Sequence, residues 1–111
     1  MRFALVFVVA MICSACGGAQ VDIRNRSSAQ LRDVTITATA DSAKISVVES
    51  MSEQRTSICP KGETGAIQVS FMANGQAYRS DQPLYFECSS SYAIKVDVSP
   101  SFEVSAVASL R

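Results

Sequence analysis

Apolar and polar residues alternate along most of the chain from Val21 onward. Because successive side chains of a β-strand point to opposite faces of the sheet, this period of two predicts half-buried strands. The clearest segment is Leu31–Ala40, in which Val34 and Ile36 lie on one face and threonines occupy the other. The predicted strands are Val21–Arg24, Leu31–Ala40, Lys44–Glu49, Ala66–Met72, Gln76–Arg79, Leu84–Cys88, Tyr92–Val98 and Phe102–Ala108.

Turn-forming residues separate these segments. Asn74-Gly75 is the strongest hairpin signal, because both residues tolerate the positive φ of a two-residue turn. Pro60–Gly62 fits a type I turn. Asp41-Ser42 and Ser80–Pro83 are predicted to interrupt the strands on either side of them. The polar segment Ser50–Ser57 is ambiguous, and no segment shows a convincing helical period with caps.

The alternating pattern, with turns every 8–12 residues or so, predicts the fold class. We expect an all-β protein: a single small antiparallel β-sandwich of about seven strands with immunoglobulin-like architecture. In the strand Lys44–Glu49, Val47 is predicted to point inward together with Ile45. The main predicted core residues are Ile45, Val69, Phe71, Phe86 and Val96.

The amino terminus has a different pattern. Met1-Arg2 is followed by the apolar run Phe3–Ile12 and then by small residues, an arrangement typical of a secretory signal peptide. The run has ten residues, about 15 Å as a helix, whereas a bilayer core is about 30 Å thick. We therefore expect a cleaved signal rather than a membrane-spanning helix. Cleavage after Ala15 and cleavage after Ala19 both fit the small residues.

The residues around Cys16 give this signal a more specific interpretation. Ser14 and Ala15 precede Cys16, and Gly17 follows it, which resembles the signal of bacterial lipoproteins. Cys13 departs from that pattern, which usually has an aliphatic residue at this position. The resemblance implies that residues 1–15 are removed, that Cys16 becomes the acylated amino terminus, and that Gly17 directs the chain to the outer membrane. Residues 16–20 would then form a short tether, and residues 21–111 the sandwich domain.

The cysteines support export. Cys59 and Cys88 remain as an even pair if Cys16 is acylated or if cleavage follows Ala19, whereas cleavage after Ala15 without acylation leaves three cysteines. In an oxidising compartment the default interpretation of such a pair is a structural disulfide. It would enclose about 30 residues and stabilise the fold by about 3.5 kcal/mol.

Two short motifs extend the resemblance into the domain. The segments are Ile23-Arg24-Asn25-Arg26-Ser27 and Asp33-Val34-Thr35-Ile36. They resemble the opening of small bacterial lipoproteins that have no assigned activity, and they imply no catalytic residue. Asn25-Arg26-Ser27 also matches the eukaryotic glycosylation pattern, which is interpreted as a chance match in a turn.

Composition narrows the chemistry. The chain has no histidine, so a serine–histidine or cysteine–histidine site is excluded, and no calcium-loop or phosphate-loop motif is present. The balance of ten basic and ten acidic residues argues against nucleic-acid binding. We expect no enzymatic activity, no cofactor and no metal site. A polar ladder of Thr35, Thr37 and Thr39 and a grouping of Tyr78, Arg79, Tyr85 and Tyr92 are the weaker candidates for a binding surface.

These observations lead to one principal functional hypothesis and two alternatives. The principal hypothesis is a lipid-anchored cell-envelope protein, facing the periplasm, that is a non-enzymatic structural module or contacts another envelope protein. The first alternative is a periplasmic small-ligand carrier or binding protein. Under any of these hypotheses, the protein is expected to be secreted or periplasmic if Cys16 is not acylated. The second is an enzyme of unrecognised type, which would need a clustered pair of carboxylates.

Overall fold

The computed structural model describes residues 18–111 and contains eight β-strands in that part of the chain. The predicted signal peptide (residues 1–15) and the predicted lipid-attachment residue Cys16 lie outside the described residues. Within residues 18–111 no helix is long and apolar enough to cross a membrane. The strands are β1 (Ala19–Asn25), β2 (Leu31–Ala38), β3 (Asp41–Val48), β4 (Glu53–Ile58), β5 (Thr64–Ala73), β6 (Gln76–Phe86), β7 (Tyr92–Val98) and β8 (Val104–Leu110).

The strands form two four-stranded sheets that pack face to face. Sheet A has the order β4-β1-β7-β8, and sheet B has the order β3-β2-β5-β6. The predicted all-β sandwich is therefore confirmed, with eight strands where about seven were expected. All pairs are antiparallel except β1 with β7, which run parallel, so sheet A is mixed.

The chain runs up and down between two ends of the sandwich. We call the end where β1 begins at Ala19 the near end, and the end where β1 finishes at Asn25 the far end. In sheet A, β7 runs parallel to β1, from the near end to the far end. Contact between Asn25 and Val48 places the end of β3 at the far end as well, so β3 and β5 of sheet B have the same direction. The even-numbered strands return.

The core lies between the sheets and consists of the inward residues of both. Four of the predicted core residues, Val69, Phe71, Phe86 and Val96, are at most 2% exposed. Ile45 is only partly buried and packs against the edge of this cluster. The apolar face predicted from the alternation is therefore the face that the sheets bury.

One irregularity changes which residues face inward. Asp33 has a φ of 51°, and the register of β2 against β5 shifts by one residue between Arg32 and Thr35. This bulge lets Leu31 and Val34 both point inward although they are three residues apart. The neighbouring strand follows the same change of face, so that Val48 is buried and the prediction of an inward Val47 is wrong.

Three predicted boundaries also need correction. Strand β3 already begins at Asp41, because the turn lies at Thr39-Ala40, where Ala40 has a φ of 60°. The ambiguous segment Ser50–Ser57 contains most of strand β4. Strand β6 continues through the predicted break at Ser80–Pro83. Pro83 is tolerated there because β6 is an edge strand, where a missing N–H need not break a ladder.

The predicted hairpin at Asn74-Gly75 is confirmed. The two residues connect β5 to β6 and have φ values of 51° and 77°. Both values lie in the left-handed region that a type I′ turn requires, and Asn and Gly reach that region at low cost.

Candidate functional site

The sandwich begins almost directly after Cys16. Strand β1 starts at Ala19, whose side chain is fully buried and whose backbone is paired with Ile58 of β4. The folded domain therefore starts two residues before the predicted boundary at Val21. Gly18 lies close against β4 as well, since a Cβ atom there would stand 3.2 Å from the carbonyl oxygen of Ile58. The predicted tether of residues 16–20 is correspondingly shorter.

The predicted disulfide joins Cys59 to Cys88 at the near end, with 4.4 Å between their Cα atoms. Cys59 follows β4 of sheet A, and Cys88 follows β6 of sheet B. The bond therefore ties together the two connections by which the chain crosses between the sheets at this end, β4 to β5 and β6 to β7. The disulfide is therefore a covalent cross-link between the two sheets.

A buried hydrogen-bond network around Asn25 joins the sheets at the far end. The Asn25 side chain donates from Nδ2 to the carbonyl oxygens of Ala29 (2.7 Å), Val48 (3.1 Å) and Glu49 (3.1 Å). Its Oδ1 accepts from the N–H (3.0 Å) and the hydroxyl (2.7 Å) of Ser27. Both Asn25 and Ser27 are fully buried.

This network gives Asn25 a structural role that the sequence pattern only hinted at. Asn25 closes β1 of sheet A, whereas Val48 closes β3 of sheet B, so one amide bridges the two layers. The spacing of Asn25 and Ser27, which also matches a glycosylation pattern, is the spacing of an Asx turn. The interpretation of the segment as a turn is correct, but the burial of its side chains was not foreseen.

Two contacts that involve carboxylates raise the pKa of nearby groups. Arg55 Nε donates to Asp22 Oδ1 at 2.7 Å, and this contact raises the pKa of Arg55 above its ordinary value. The Tyr85 hydroxyl donates to Glu87 Oε2. That hydrogen bond, followed by desolvation and the negative charge of Glu63, raises the pKa of Tyr85 to about 12. Neither shift produces a group that titrates near neutral pH.

The tyrosines do not gather into one patch. Tyr78 packs at the far end, with its ring centroid 5.3 Å from that of Phe71 and 5.0 Å from that of Phe102. Tyr85 and Tyr92 meet each other at 6.3 Å near the other end. The rings therefore form two separate clusters, one at each end of the sandwich.

The threonine ladder is also shorter than predicted. Thr37 is exposed and Thr35 half-buried on the outer face of β2. Thr39 lies beyond the strand, where its hydroxyl donates to that of Thr64 at 3.1 Å. Two residues of the three therefore share a surface.

A surface cleft at the far end has a volume of about 360 Å³. Its lining is mostly polar and charged: Arg26, Met51, Asp97, Ser99, Pro100, Glu103 and Ser105. In the described part of the chain, no three or more Cys, Asp or Glu residues are grouped so that they could hold a metal ion. The cleft is a surface feature and does not enter the core between the sheets.

Comparison with known proteins gives a fold relationship. No protein-family model matches the chain, and no curated protein sequence matches it. A protein from Eubacterium rectale solved by NMR is similar in structure, with a TM-score of 0.52 and 8% sequence identity. The match covers 80% of this chain and 85% of that chain. At this identity the similarity shows a shared fold.

Proposed function

We propose that the chain is a lipid-anchored protein of the bacterial cell envelope and acts there as a non-enzymatic structural or protein-interaction module. The observation that carries the proposal is the short link between Cys16 and the folded domain. Strand β1 begins at Ala19, and three extended residues reach about 10 Å. An acylated Cys16 would therefore hold the sandwich directly against the membrane surface.

The packing of Ala19 supports cleavage before Cys16. Cleavage after Ala19 would remove a residue that is fully buried and paired with Ile58. The new amino terminus would then be Gln20, which is itself paired with Ser57 in the ladder between β1 and β4. Cleavage before Cys16 leaves β1 complete, with Gly17 and Gly18 between the anchor and the strand.

The polar interior supports a non-enzymatic role. The buried polar residues Asp22, Asn25, Ser27 and Thr64 all make hydrogen bonds within the described residues. Catalytic groups are typically partly buried, directed into a cleft and shifted in pKa toward the working pH. Here the buried polar groups are used to join strands, and the absence of histidine removes the commonest general base.

The ligand-carrier alternative has weaker support. A site for an apolar ligand is generally a concave, mostly apolar pocket that encloses most of the ligand. The far-end cleft is large enough at about 360 Å³, but it opens to solvent and five of its seven lining residues are charged or carry a hydroxyl. The core that a carrier would hollow out is instead filled by the side chains of both sheets.

The decisive experiment is the mass of the mature chain isolated from its native host or from a bacterial expression strain. We expect a mass equal to that of residues 16–111 plus a diacylglyceryl group and one acyl chain, together with recovery in the membrane fraction. Cys16→Ser should abolish both. Cys13→Leu, which restores the usual aliphatic residue of the signal, is the matched control and should retain both. A mature amino terminus at Gln20 would refute the anchor.

A further inference from the structure

The four edge strands of the sandwich are not protected alike. An edge strand exposes unpaired N–H and C=O groups, and soluble proteins usually guard such edges with charged residues or proline. The edges are β4 and β8 in sheet A and β3 and β6 in sheet B. Three of them carry such residues: Asp41 and Lys44 in β3, Glu53 and Arg55 in β4, and Arg79, Asp81 and Pro83 in β6.

Strand β8 has no such protection. Its seven residues, Val104–Leu110, include no charge and no proline. Val107 and Leu110 are 65% and 70% exposed, which makes β8 the edge with the most accessible apolar side chains. Within residues 18–111 its one sheet neighbour is β7, so the other side of β8 has hydrogen-bonding groups without a strand partner.

The sequence of β8 is complementary to itself in one antiparallel register. If Val107 lies opposite Val107 of a second copy, Ser105 faces Ser109 and Ala106 faces Ala108. The charged residues that flank the strand, Glu103 and Arg111, then lie opposite each other at both ends of the pairing. The Arg111 guanidinium donates to the Ser90 carbonyl and to Gln20 Oε1 in the single chain and would leave these contacts to pair with Glu103 of the second copy. Opposite charges placed directly across two strands are stabilising, whereas like charges there are unfavourable.

We propose that β8 pairs with β8 of a second copy of this chain, centred on Val107, and that the two A sheets join into one eight-stranded sheet. A two-fold interface of this kind is the commonest way in which identical chains associate. A strand of another protein would also match the ends of β8 if it placed a positive charge opposite Glu103 and a negative charge opposite Arg111. An antiparallel second copy of this chain supplies both charges by itself.

The small area of the contact determines whether two copies can pair in dilute solution or only when both are confined to a membrane surface. Seven paired residues extend over about 24 Å, and one strand pair buries much less than the roughly 1,200 Å² of a stable interface. Association in dilute solution is therefore expected to be weak. Two copies confined to one membrane surface would meet at a far higher local concentration.

The geometry allows both copies to be held by the same membrane, an argument that rests on the proposed function. The two-fold axis of an antiparallel pair is perpendicular to the sheet, so both Ala19 residues lie at the same height along it. Ala19 is two strands away from the β8 edge, at the level of Leu110. From strand spacing and rise, the two Ala19 residues are about 30 Å apart, and both anchors can enter one bilayer.

The test is cysteine cross-linking of the full chain in its cellular membranes. Val107→Cys should form a disulfide-linked dimer after mild oxidation, since directly opposed residues have Cα atoms about 4.5–5.5 Å apart. Ser105→Cys and Ser109→Cys are the matched controls, exposed on the same strand. Each lies about 14 Å along the strand from its own counterpart, too far for a disulfide. The wild-type chain gives the background.

We expect at least fivefold more dimer from Val107→Cys than from either control. Equal cross-linking at all three positions, a maximum at another position, or linkage of Val107→Cys to a different protein would overturn the proposal. The result is independent of the anchor. An acylated chain that forms no Val107→Cys dimer would refute the pairing alone, and a dimer of chains that lack the acyl group would refute the anchor alone.

Discussion

We expect truncation of Asn25 to lower the free energy of unfolding more than truncation of any other side chain of similar size. Its side chain is fully buried at the far end and contacts backbone groups of both sheets. The substitution Asn25→Ala removes all of these contacts but introduces no steric clash. The effect on stability therefore measures mainly the loss of the Asn25 hydrogen bonds, with an added cost for the space that the amide leaves.

The magnitude follows from which groups retain a partner. Without Asn25, the carbonyl of Ala29 can still accept from the Ser27 hydroxyl, and that of Glu49 from the Ser52 N–H. The Ser27 N–H loses its acceptor, whereas Val48, which is paired with Leu31 in the β2–β3 ladder, loses only the contact from the other sheet. A buried polar group left unsatisfied costs about 1–3 kcal/mol and a lost hydrogen bond about 0.5–1.5 kcal/mol, so the expected total loss is about 2–4 kcal/mol.

The assay is urea unfolding of the oxidised mature chain at pH 7, followed by circular dichroism. Arg26→Ala is the matched control: it alters the exposed residue of the same turn and should change the free energy of unfolding by less than about 0.5 kcal/mol. A loss below about 1 kcal/mol for Asn25→Ala would show that the amide does not hold the two sheets together.

A second substitution at the same position, Asn25→Asp, tests the effect of a negative charge while the shape of the side chain is kept. Asn25→Asp keeps the oxygen that accepts from Ser27 but replaces the donor with a carboxylate oxygen that faces three carbonyl groups. Burial and these dipoles raise the pKa of the new carboxyl group in the folded state. The destabilisation relative to wild type should therefore be largest at pH 7 and should shrink as the pH falls toward about 4. A loss that does not vary with pH would contradict this assignment.

Two further predictions concern the near end. Replacing both Cys59 and Cys88 by Ser should lower the free energy of unfolding by about 3.5 kcal/mol, and reduction of the wild-type chain should have the same effect. A loss below about 1 kcal/mol in both experiments would contradict a structural disulfide. Tyr85 should ionise only near its pKa of about 12, when phenolate absorbance is read after rapid pH jumps. Because folding favours the neutral phenol, its contribution to stability is complete below pH 10 or so and is lost as the pH rises through about 12. Glu87→Ala should return this pKa toward its ordinary value and Glu103→Ala should not; an unchanged pKa in Glu87→Ala would show that Glu87 is not its cause.

The sequence predicts the interior of the sandwich better than its edges, for a physical reason. Strands such as β7 bury one face, so their alternation is strong, and the predicted bounds Tyr92–Val98 are the observed ones. Strand β4 is an edge strand whose residues are mostly exposed. Its polar composition shows no alternation of apolar and polar residues from which a strand could be predicted. The continuation of β6 through Pro83 was hidden in the same way, because a proline costs little on an edge.

The polar network and the parallel pair lie beyond what alternation can show. Asn25 is read as a turn residue because asparagine favours turns, and nothing in its local sequence reveals the approach of Val48 from the other sheet. Pairing of β1 with β7 joins residues more than 70 positions apart. The disulfide could be predicted because the cysteine count and the predicted export signal favour a single pair. Counting residues cannot identify the partners of a hydrogen bond in the same way.

The two cross-links between the sheets differ in when they can form, and this difference bears on the proposed export. The network around Asn25 forms in any compartment, whereas the Cys59–Cys88 bond needs an oxidising one. A contribution of about 3.5 kcal/mol is large against the roughly 5–10 kcal/mol of a small domain. The unfolded fraction should therefore be a few hundred times greater in the reducing cytoplasm than after oxidation. On the proposed route, a chain that crosses a membrane before it folds would gain its final stability only after export, at the surface where a link of a few residues would hold it.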